Sequence, residues 1–339
     1  MTLIKTEDAV GHTLCHDITQ IIKGVTKDAV FRKGHIVSTA DIPVLLSVGK
    51  EHLYVWEHDN NVLHENDAAY ILRDICMGEN ISAAEPKEGK VDLYAEVDGL
   101  LTVDAGRLLA INALGEMMIA TRHGGFAVKK GDKIAGTRVI PLVIEKEKMQ
   151  NAVKAAGDVP ILNVIPFKSK KVGIIVTGSE VCSGRIADTF TPVVEQKLAW
   201  FGSELVSGML PGDDHEKITI AINEMLTCGM DMVICTGGMS VDPDDRTPLA
   251  IKNSGAKIVS YGAPTLPGAM FMLAYSDDSR PILGLPGCVM YAQRTVFDLV
   301  LPYLMADIEI SADSLAGYGE GGLCLNCENC VFPNCAFGK

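Results

Sequence analysis

The chain has 339 residues, 47% of them apolar and 22% charged, and a formal net charge of −13. That length supports two or three domains with a real core, and the negative balance excludes nucleic acid and anionic membrane surfaces as general partners. No run approaches ~18 uninterrupted apolar residues, so no membrane-spanning helix is expected. The opening Met1 to Asp8 has no apolar core like that of a secretory leader, which makes a cytoplasmic protein the default.

Residues 1–65 read as a mixed α/β segment. Leu14–Ile22 and Lys33–Ser38 supply strands. Residues 39–49 supply a helix with Leu45, Leu46 and Val48 apolar and Gly49 as its stop, and His52–Trp56 supplies another strand. The histidines here (His12, His16, His35, His52, His58 and His64) lack metal-ligand spacing with an acidic partner and count as surface or hydrogen-bonding residues.

Residues 66–168 read as a β-rich body and connector, opened by a helix at Asn66–Cys76. Val91, Leu93, Ala95 and Val97 alternate, Asp98-Gly99 marks a turn, and Leu101 and Val103 resume the alternation. Phe126 and Val128 precede a turn at Lys129–Asp132. Thr137–Ile144 reads as one strand that Pro141 confines to a sheet edge, and Glu145–Ala156 as a helical connector.

From residue 170 to 306 strands and helices alternate. Val172–Thr177 is a near-continuous apolar strand, the pattern of a strand covered on both faces. Thr191-Pro192 opens a helix striped by Val193, Val194, Leu198 and Phe201. Leu205–Leu210 is a strand. Asp213 or Asp214 caps a helix with Ile218, Ala221, Ile222, Met225 and Leu226 on one face. Met232–Cys235 is a buried strand, Arg246–Asn253 a helix, and Lys257–Val259, Met270–Ala274 and Pro281–Leu285 are strands. Cys288–Leu304 reads as one long closing helix. The sum is a three-layer α/β domain with a mostly parallel sheet.

Three loops of this domain carry chemistry. The first is Thr177-Gly178-Ser179-Glu180, with Asp188 downstream. The second is Thr236-Gly237-Gly238-Met239-Ser240, running into Asp242, Asp244 and Asp245. The third is Gly284-Leu285-Pro286-Gly287. Each alone also reads as a turn whose polar residues cap the next helix. Together they converge where open α/β sheets bind ligands, beyond the carboxyl ends of strands. Glycines admit an anion to the backbone, and carboxylates suit a hard cation. The chain lacks Gly-x-Gly-x-x-Gly at the first loop, a P-loop and a nucleophile elbow, which leaves metal-assisted chemistry on a phosphorylated ligand.

The strand-loop Val176-Thr-Gly-Ser-Glu180, Ile186-Ala-Asp188, Leu210-Pro-Gly-Asp213-Asp214, Thr236-Gly-Gly-Met-Ser240, Asp245-Arg-Thr247, Leu266-Pro-Gly268 and Gly284-Leu-Pro-Gly287 follow in this order. The set resembles the molybdopterin-binding domain of molybdenum cofactor biosynthesis proteins over about residues 170–306. More loosely, Arg32-Lys-Gly34 and Leu46-Ser-Val-Gly49 resemble the N-terminal part of the molybdopterin molybdenumtransferase family. The resemblance implies molybdopterin or its adenylylated form as ligand, Mg²⁺, and molybdate insertion with release of AMP. By position it implies that Thr177, Gly178, Glu180 and Asp188 line the phosphate or nucleotide part of the pocket. Thr236, Gly237, Gly238, Ser240 and Asp245 would hold its dithiolene, phosphate and metal region, and Pro267, Gly268, Pro286 and Gly287 its far wall. Asp188, Asp213 and Asp245 would be the catalytic carboxylates. It further implies a homo-oligomer, with a molybdenum enzyme or another cofactor-biosynthesis protein as partner.

The chain departs from that family at three of these points, one of them Leu285-Pro-Gly-Cys288-Val289 where the family reads Leu-Pro-Gly-Asn-Pro. Leu266-Pro267-Gly268-Ala269-Met270 stands where the transferase reads Lys-Pro-Gly-Lys-Pro, and both lysines suited to a molybdate dianion are gone. The acidic loop is closer to the Pro-x-x-Asp-Asp-x-Thr pattern of competence-damage-type proteins, some of which cleave ADP-ribose. Two alternatives to an insertase therefore stand, a non-catalytic cofactor-delivery protein and a nucleotide pyrophosphatase.

After a Gly-rich linker, residues 307–339 end in Cys324-x2-Cys327-x2-Cys330-x4-Cys335. The spacing approaches that of iron–sulfur proteins, and a zinc ion held by four thiolates is the competing assignment. The other six cysteines are scattered and read as reduced.

Overall fold

The computed structural model describes residues 2–22, 26–55, 61–243 and 245–339, and the side chains of residues 21, 22, 26, 27, 179 and 180 lie outside that description. Trp56 of the expected strand, His58 of the surface histidines and Asp244 of the acidic loop fall outside the described residues. The chain divides into two compact units, residues 1–95, 103–122 and 131–163, and residues 96–102, 123–130 and 164–339.

The first unit is built from antiparallel pairs. Thr2–Lys5 runs against His52–Val55, and Ile18–Ile22 against Thr26–Phe31. The expected strand at Lys33–Ser38 does not form. Gly34, at φ +86°, turns the chain there. The Asp41 carboxylate then accepts hydrogen bonds from the Ser38 amide and hydroxyl, leaving only an isolated bridge from Thr13 to Ile36. A four-stranded antiparallel sheet follows in the order Ile81–Ala83, Lys90–Ala95, Lys133–Val139, Met117–Thr121. The Glu65–Cys76 helix buries Ala68, Ala69, Leu72, Ile75 and Cys76. Pro141 does more than mark an edge. It has no N–H to extend the ladder, so the strand ends at Val139 and a separate one, Val143–Glu145, pairs with Val62–His64. The Ala105–Asn112 helix, with Asp104 accepting the Arg107 amide, and the Met117–Thr121 strand have no counterpart in the sequence reading.

The second unit is organised by a six-stranded sheet in the order Glu204–Met209, Lys171–Val176, Met232–Thr236, Pro281–Leu285, Met272–Tyr275, Lys257–Tyr261. The first four strands are mutually parallel and the last two are antiparallel additions. The central strand, Met232–Thr236, is fully buried. Val172, Ile174, Val176, Met232 and Ile234 pack with Phe190, Val194 and Leu198 of one helix and Val296, Phe297, Val300 and Leu301 of another. Ile175, Val233 and Cys235 pack with Ile218, Ala221 and Ile222 of the His215–Thr227 helix and with Ala250 and Ile251 of the Thr247–Asn253 helix. The alternation within each strand thus sends neighbouring residues into different helix-covered clusters. That explains why these strands read as continuous apolar runs.

The single closing helix does not exist. Gly287–Met290 is a 3-10 turn, and the α-helix runs only from Val296 to Met305. Thr295 and Asp298 form a capping box, which gives the helix its own N-terminus eight residues later than the sequence places it. The signal, Thr-x-x-Asp, stands in the sequence but is overridden there by the apolar run around it.

The cysteine segment is docked on this unit. Phe337 is buried with Phe126 and Leu299, and Phe332 meets Phe126 edge-on at 5.8 Å. The Leu266 amide donates to Gly322 O and the Cys324 amide to Leu266 O, both at 2.8 Å.

Candidate functional site

Lys171–Val176, Met232–Thr236 and Pro281–Leu285 are adjacent and parallel, so their carboxyl ends share one edge of the sheet. The first two loops are tied to each other there. The Thr177 amide and hydroxyl both donate to Thr236 O, at 2.9 and 3.1 Å. The Thr247 hydroxyl donates to Gly237 O at 2.9 Å and lies 3.4 Å from the Thr177 hydroxyl, while the Thr247 amide donates to Gly238 O at 3.2 Å. Thr177, Thr236 and Thr247 are all buried. Thr236 therefore contributes through its carbonyl. Its hydroxyl is buried and has no hydrogen-bond partner among the described residues.

Gly237 and Gly238 are the two glycines this lattice requires. Both are left-handed, at φ +81° and +57°. A Cβ on Gly237 would fall 2.7 Å from Thr177 Oγ1 and 2.9 Å from Thr177 O, and one on Gly238 would fall 2.8 Å from Thr247 Oγ1. Real side chains do not tolerate such approaches, so the bare backbone is a product of both conformation and packing.

The carboxylates have more specific duties than the sequence assigns. Asp188 accepts from the Phe190 amide at 2.8 Å, the Thr191 amide at 3.1 Å and the Thr191 hydroxyl. It, and not Thr191, therefore satisfies the start of the Phe190–Ala199 helix. Asp214 caps the His215–Thr227 helix by accepting from Glu216, while its neighbour Asp213 is half-buried in the preceding turn. Asp245 accepts the Ser240 amide at 2.9 Å through Oδ2, folding the acidic loop back on itself with Ser240 exposed. Tyr261, absent from the sequence reading, belongs to this loop. Its hydroxyl donates to Met239 O at 2.9 Å, and burial, then the Asp245 charge, push its pKa above the ordinary value.

Gly178 follows Thr177 at φ +114°, and Glu180 lies in the short Ser179–Cys182 helix. Gly268 abuts Val296, the first residue of the closing helix, and Pro267 is half-buried beside it. Pro286 is buried and Gly287 exposed. The third loop opens into a 3-10 turn and not into the α-helix that the sequence places at Cys288. The Thr189 hydroxyl, donating to Met290 Sδ at 2.9 Å, links the end of the first loop to this turn. Thr247 is the main omission from the sequence-derived site. Its signal was a Thr-Pro at a helix start, legible as a cap but not as a brace for Gly237.

The cysteine loop presents Cys324 and Cys335 half-buried and Cys327 and Cys330 exposed. Among the described residues no three His, Cys, Asp or Glu side chains are grouped to hold a metal ion. The four thiols are therefore not gathered in this conformation, nor are the three aspartates.

Residues 173–306 match the family described as the probable molybdopterin binding domain, and residues 3–57 match a domain of unknown function. The α/β part of the chain thus matches the same family that the ordered motifs resemble. Among curated proteins, the molybdopterin molybdenumtransferase of Synechococcus elongatus is 24% identical over 196 residues, which is 55% of this chain and 46% of that protein. A CinA-like protein of Mycobacterium tuberculosis is 33% identical over 79 residues, 23% of this chain and 18% of that protein. The chain spans less than half the length of these relatives. Among solved structures, the molybdopterin biosynthesis enzyme MoaB from Thermus thermophilus aligns with a TM-score of 0.35 and 21% identity. The alignment covers 44% of this chain and 97% of that one. No helix among the described residues is long and apolar enough to cross a membrane.

Proposed function

We propose that this protein acts in molybdenum cofactor biosynthesis by binding molybdopterin, or its adenylylated form, at the carboxyl edge of the six-stranded sheet. The observation that carries the reading is the Gly237–Gly238 cradle, two left-handed glycines braced from behind by the Thr177 and Thr247 hydroxyls. A phosphate can approach such backbone closely, and the brace means that little rearrangement is needed when it does. Thr177, Gly178, Glu180 and Asp188 would face the phosphate or nucleotide end. Ser240 and Asp245 would face the region beside the cradle.

Mg²⁺ fits the donor chemistry on one condition. It is commonly held by one or two carboxylates together with substrate phosphates and waters. Asp245 uses Oδ2 for the Ser240 amide and Asp188 is engaged at both oxygens, so the phosphate must complete the shell. Asp245 is the residue that would hold the ion, which would neutralise charge on the phosphate.

The Leu266–Gly268 wall favours binding or delivery over molybdate insertion. Leu266 is 58% exposed and its amide and carbonyl are spent on the cysteine loop, where an oxyanion would need a cation. The 33% identity to a CinA-like protein over 79 residues supports a second reading, hydrolysis of a nucleotide pyrophosphate. Incubation with adenylylated molybdopterin, Mg²⁺ and molybdate separates the readings. Pterin binding without AMP release is the expected result, AMP release would establish an insertase, and turnover of ADP-ribose would establish a pyrophosphatase. Failure to bind any pterin would overturn the proposal.

A further inference from the structure

The cysteine segment is not used by the pocket just described. Its ends are tied together, because the Gly338 amide donates to Gly321 O at 2.9 Å, and all four cysteines from Cys324 to Cys335 lie inside the loop so closed. The loop contains no helix or strand, only the bridge between Leu266 and Leu323. Its anchors are not thiols. Phe337 is buried with Phe126 and Leu299 at one end, and the Leu266–Gly322 and Leu266–Cys324 backbone bonds hold the other.

Packing does not explain the cysteines. A structural cysteine is a small buried hydrophobe, yet Cys327 and Cys330 are exposed, Cys324 and Cys335 are only half-buried, and none of the four is in a disulfide, with the Cys330 thiol hydrogen-bonded to Arg294. The first and last thiol-bearing residues already rest on one patch, the Phe126–Leu299–Phe337 cluster. Spacings of two residues let successive thiolates turn toward a common centre. A metal would have to draw Cys327 and Cys330, which sit on irregular exposed backbone, toward that patch.

We propose that Cys324, Cys327, Cys330 and Cys335 form a thiolate metal centre, holding one zinc ion or one iron–sulfur cluster, that stiffens the Leu266–Gly268 wall. On zinc binding, each coordinated thiol gives up its proton to solvent as its sulfur bonds the metal, four protons for one Zn²⁺. A cluster requires sulfide and both ferrous and ferric iron in addition, so that its mixed-valence core forms without a separate oxidant. The link to the wall is a single backbone hydrogen bond of 2.8 Å. Cys324, a ligand, donates its own amide to Leu266 O, so ordering the ligand orders the wall. That second part rests on the pocket reading, whereas the metal centre itself does not.

The test uses the full chain, metal-free and reduced under anaerobic conditions. Titration with Co²⁺ as a zinc probe should give one equivalent bound, with thiolate-to-cobalt charge-transfer absorption and tetrahedral bands displaced by Zn²⁺. A parallel arm with ferrous and ferric iron and sulfide should instead give cluster absorption if that is the resident centre. Cys327→Ser, at an exposed position, should weaken binding in a chain with unchanged circular dichroism. Cys182→Ser, also exposed but outside the loop, should not. No binding in either arm, or equal binding by Cys327→Ser and the unsubstituted chain, overturns the centre. Hydrogen exchange at the Leu266 and Cys324 amides should slow by about tenfold or more on Zn²⁺ addition. Metal bound with unchanged exchange overturns the stiffening. Metal bound with no pterin binding overturns the pocket reading and leaves the centre standing.

Discussion

Gly237 and Gly229 offer a matched comparison. They have nearly the same left-handed backbone, φ +81° and +82°. For any L-residue that conformation costs ~1–2 kcal/mol. Gly229 ends the His215–Thr227 helix region, and an added Cβ there meets nothing within 4 Å. At Gly237 the same atom falls 2.7 Å from Thr177 Oγ1 and 2.9 Å from Thr177 O. The carbonyl is backbone beside a central strand and cannot swing aside, so overpacking adds ~1–3 kcal/mol. Gly237→Ala should therefore lose ~2–5 kcal/mol of stability and Gly229→Ala only ~1–2 kcal/mol. Urea unfolding of both variants, compared at equal m-values, measures the difference. Losses that agree within about 0.5 kcal/mol would show that the cradle is not packed as argued. If the cradle is the phosphate site, Gly237→Ala should also lose pterin binding while Gly229→Ala keeps it.

Asp298 is 4% exposed in its side chain and accepts from Lys197 at 2.6 Å, Arg294 at 2.9 Å and the Thr295 amide at 2.9 Å. Asp298→Ala strands two partly buried cations and the helix cap, with an expected loss of ~3–5 kcal/mol. Asp132→Ala breaks the exposed Arg122–Asp132 pair, where ~0–1 kcal/mol is expected. Comparable denaturant midpoints for the two variants would sink this ranking. In the first unit, His64 is 1% exposed, donates from Nε2 to Cys15 O at 2.6 Å and accepts the Asn66 amide at Nδ1. These roles require the neutral ring, and burial lowers its pKa below the ordinary value. Because the folded value lies below the unfolded one, about 6.5, the stabilisation is complete above about pH 6.5 and is lost as pH falls through the folded value. His64→Asn keeps a capping side chain without the titration. Protection of the Glu65–Cys76 helix amides should then fall less steeply from about pH 6.5 downward, with a residual slope from half-buried His16. An unaltered slope would assign the pH dependence elsewhere.

The strands and loops of residues 170–306 were legible because each strand is an apolar run ended by Gly and polar residues, a local signal. Single residues were less legible. Asp188 and Asp245 read as catalytic, ligand-facing carboxylates, but their nearest claims are the amides of Phe190, Thr191 and Ser240. The Cys288–Leu304 run looked like one helix because hydrophobicity alone does not locate a start, and the Thr295–Asp298 box settles it. The Ala105–Asn112 helix is short, and only Ile111 is buried in it, so its periodicity was too weak to read.

By itself the sequence determined which residue types stand at the ends of the buried strands: glycines, hydroxyls and carboxylates in a fixed order. Chain-local physics suffices for that, since apolar runs, turn residues and caps act over a few positions. The tertiary structure decided what those residues touch. Thr247 reaches Gly237 across a loop and Leu266 reaches Gly322 and Cys324 from a distant segment, contacts that no local pattern encodes. The cradle's shape and the docking of the cysteine loop on the wall without lysines are therefore properties of the packed sheet and its loops, not of any one motif.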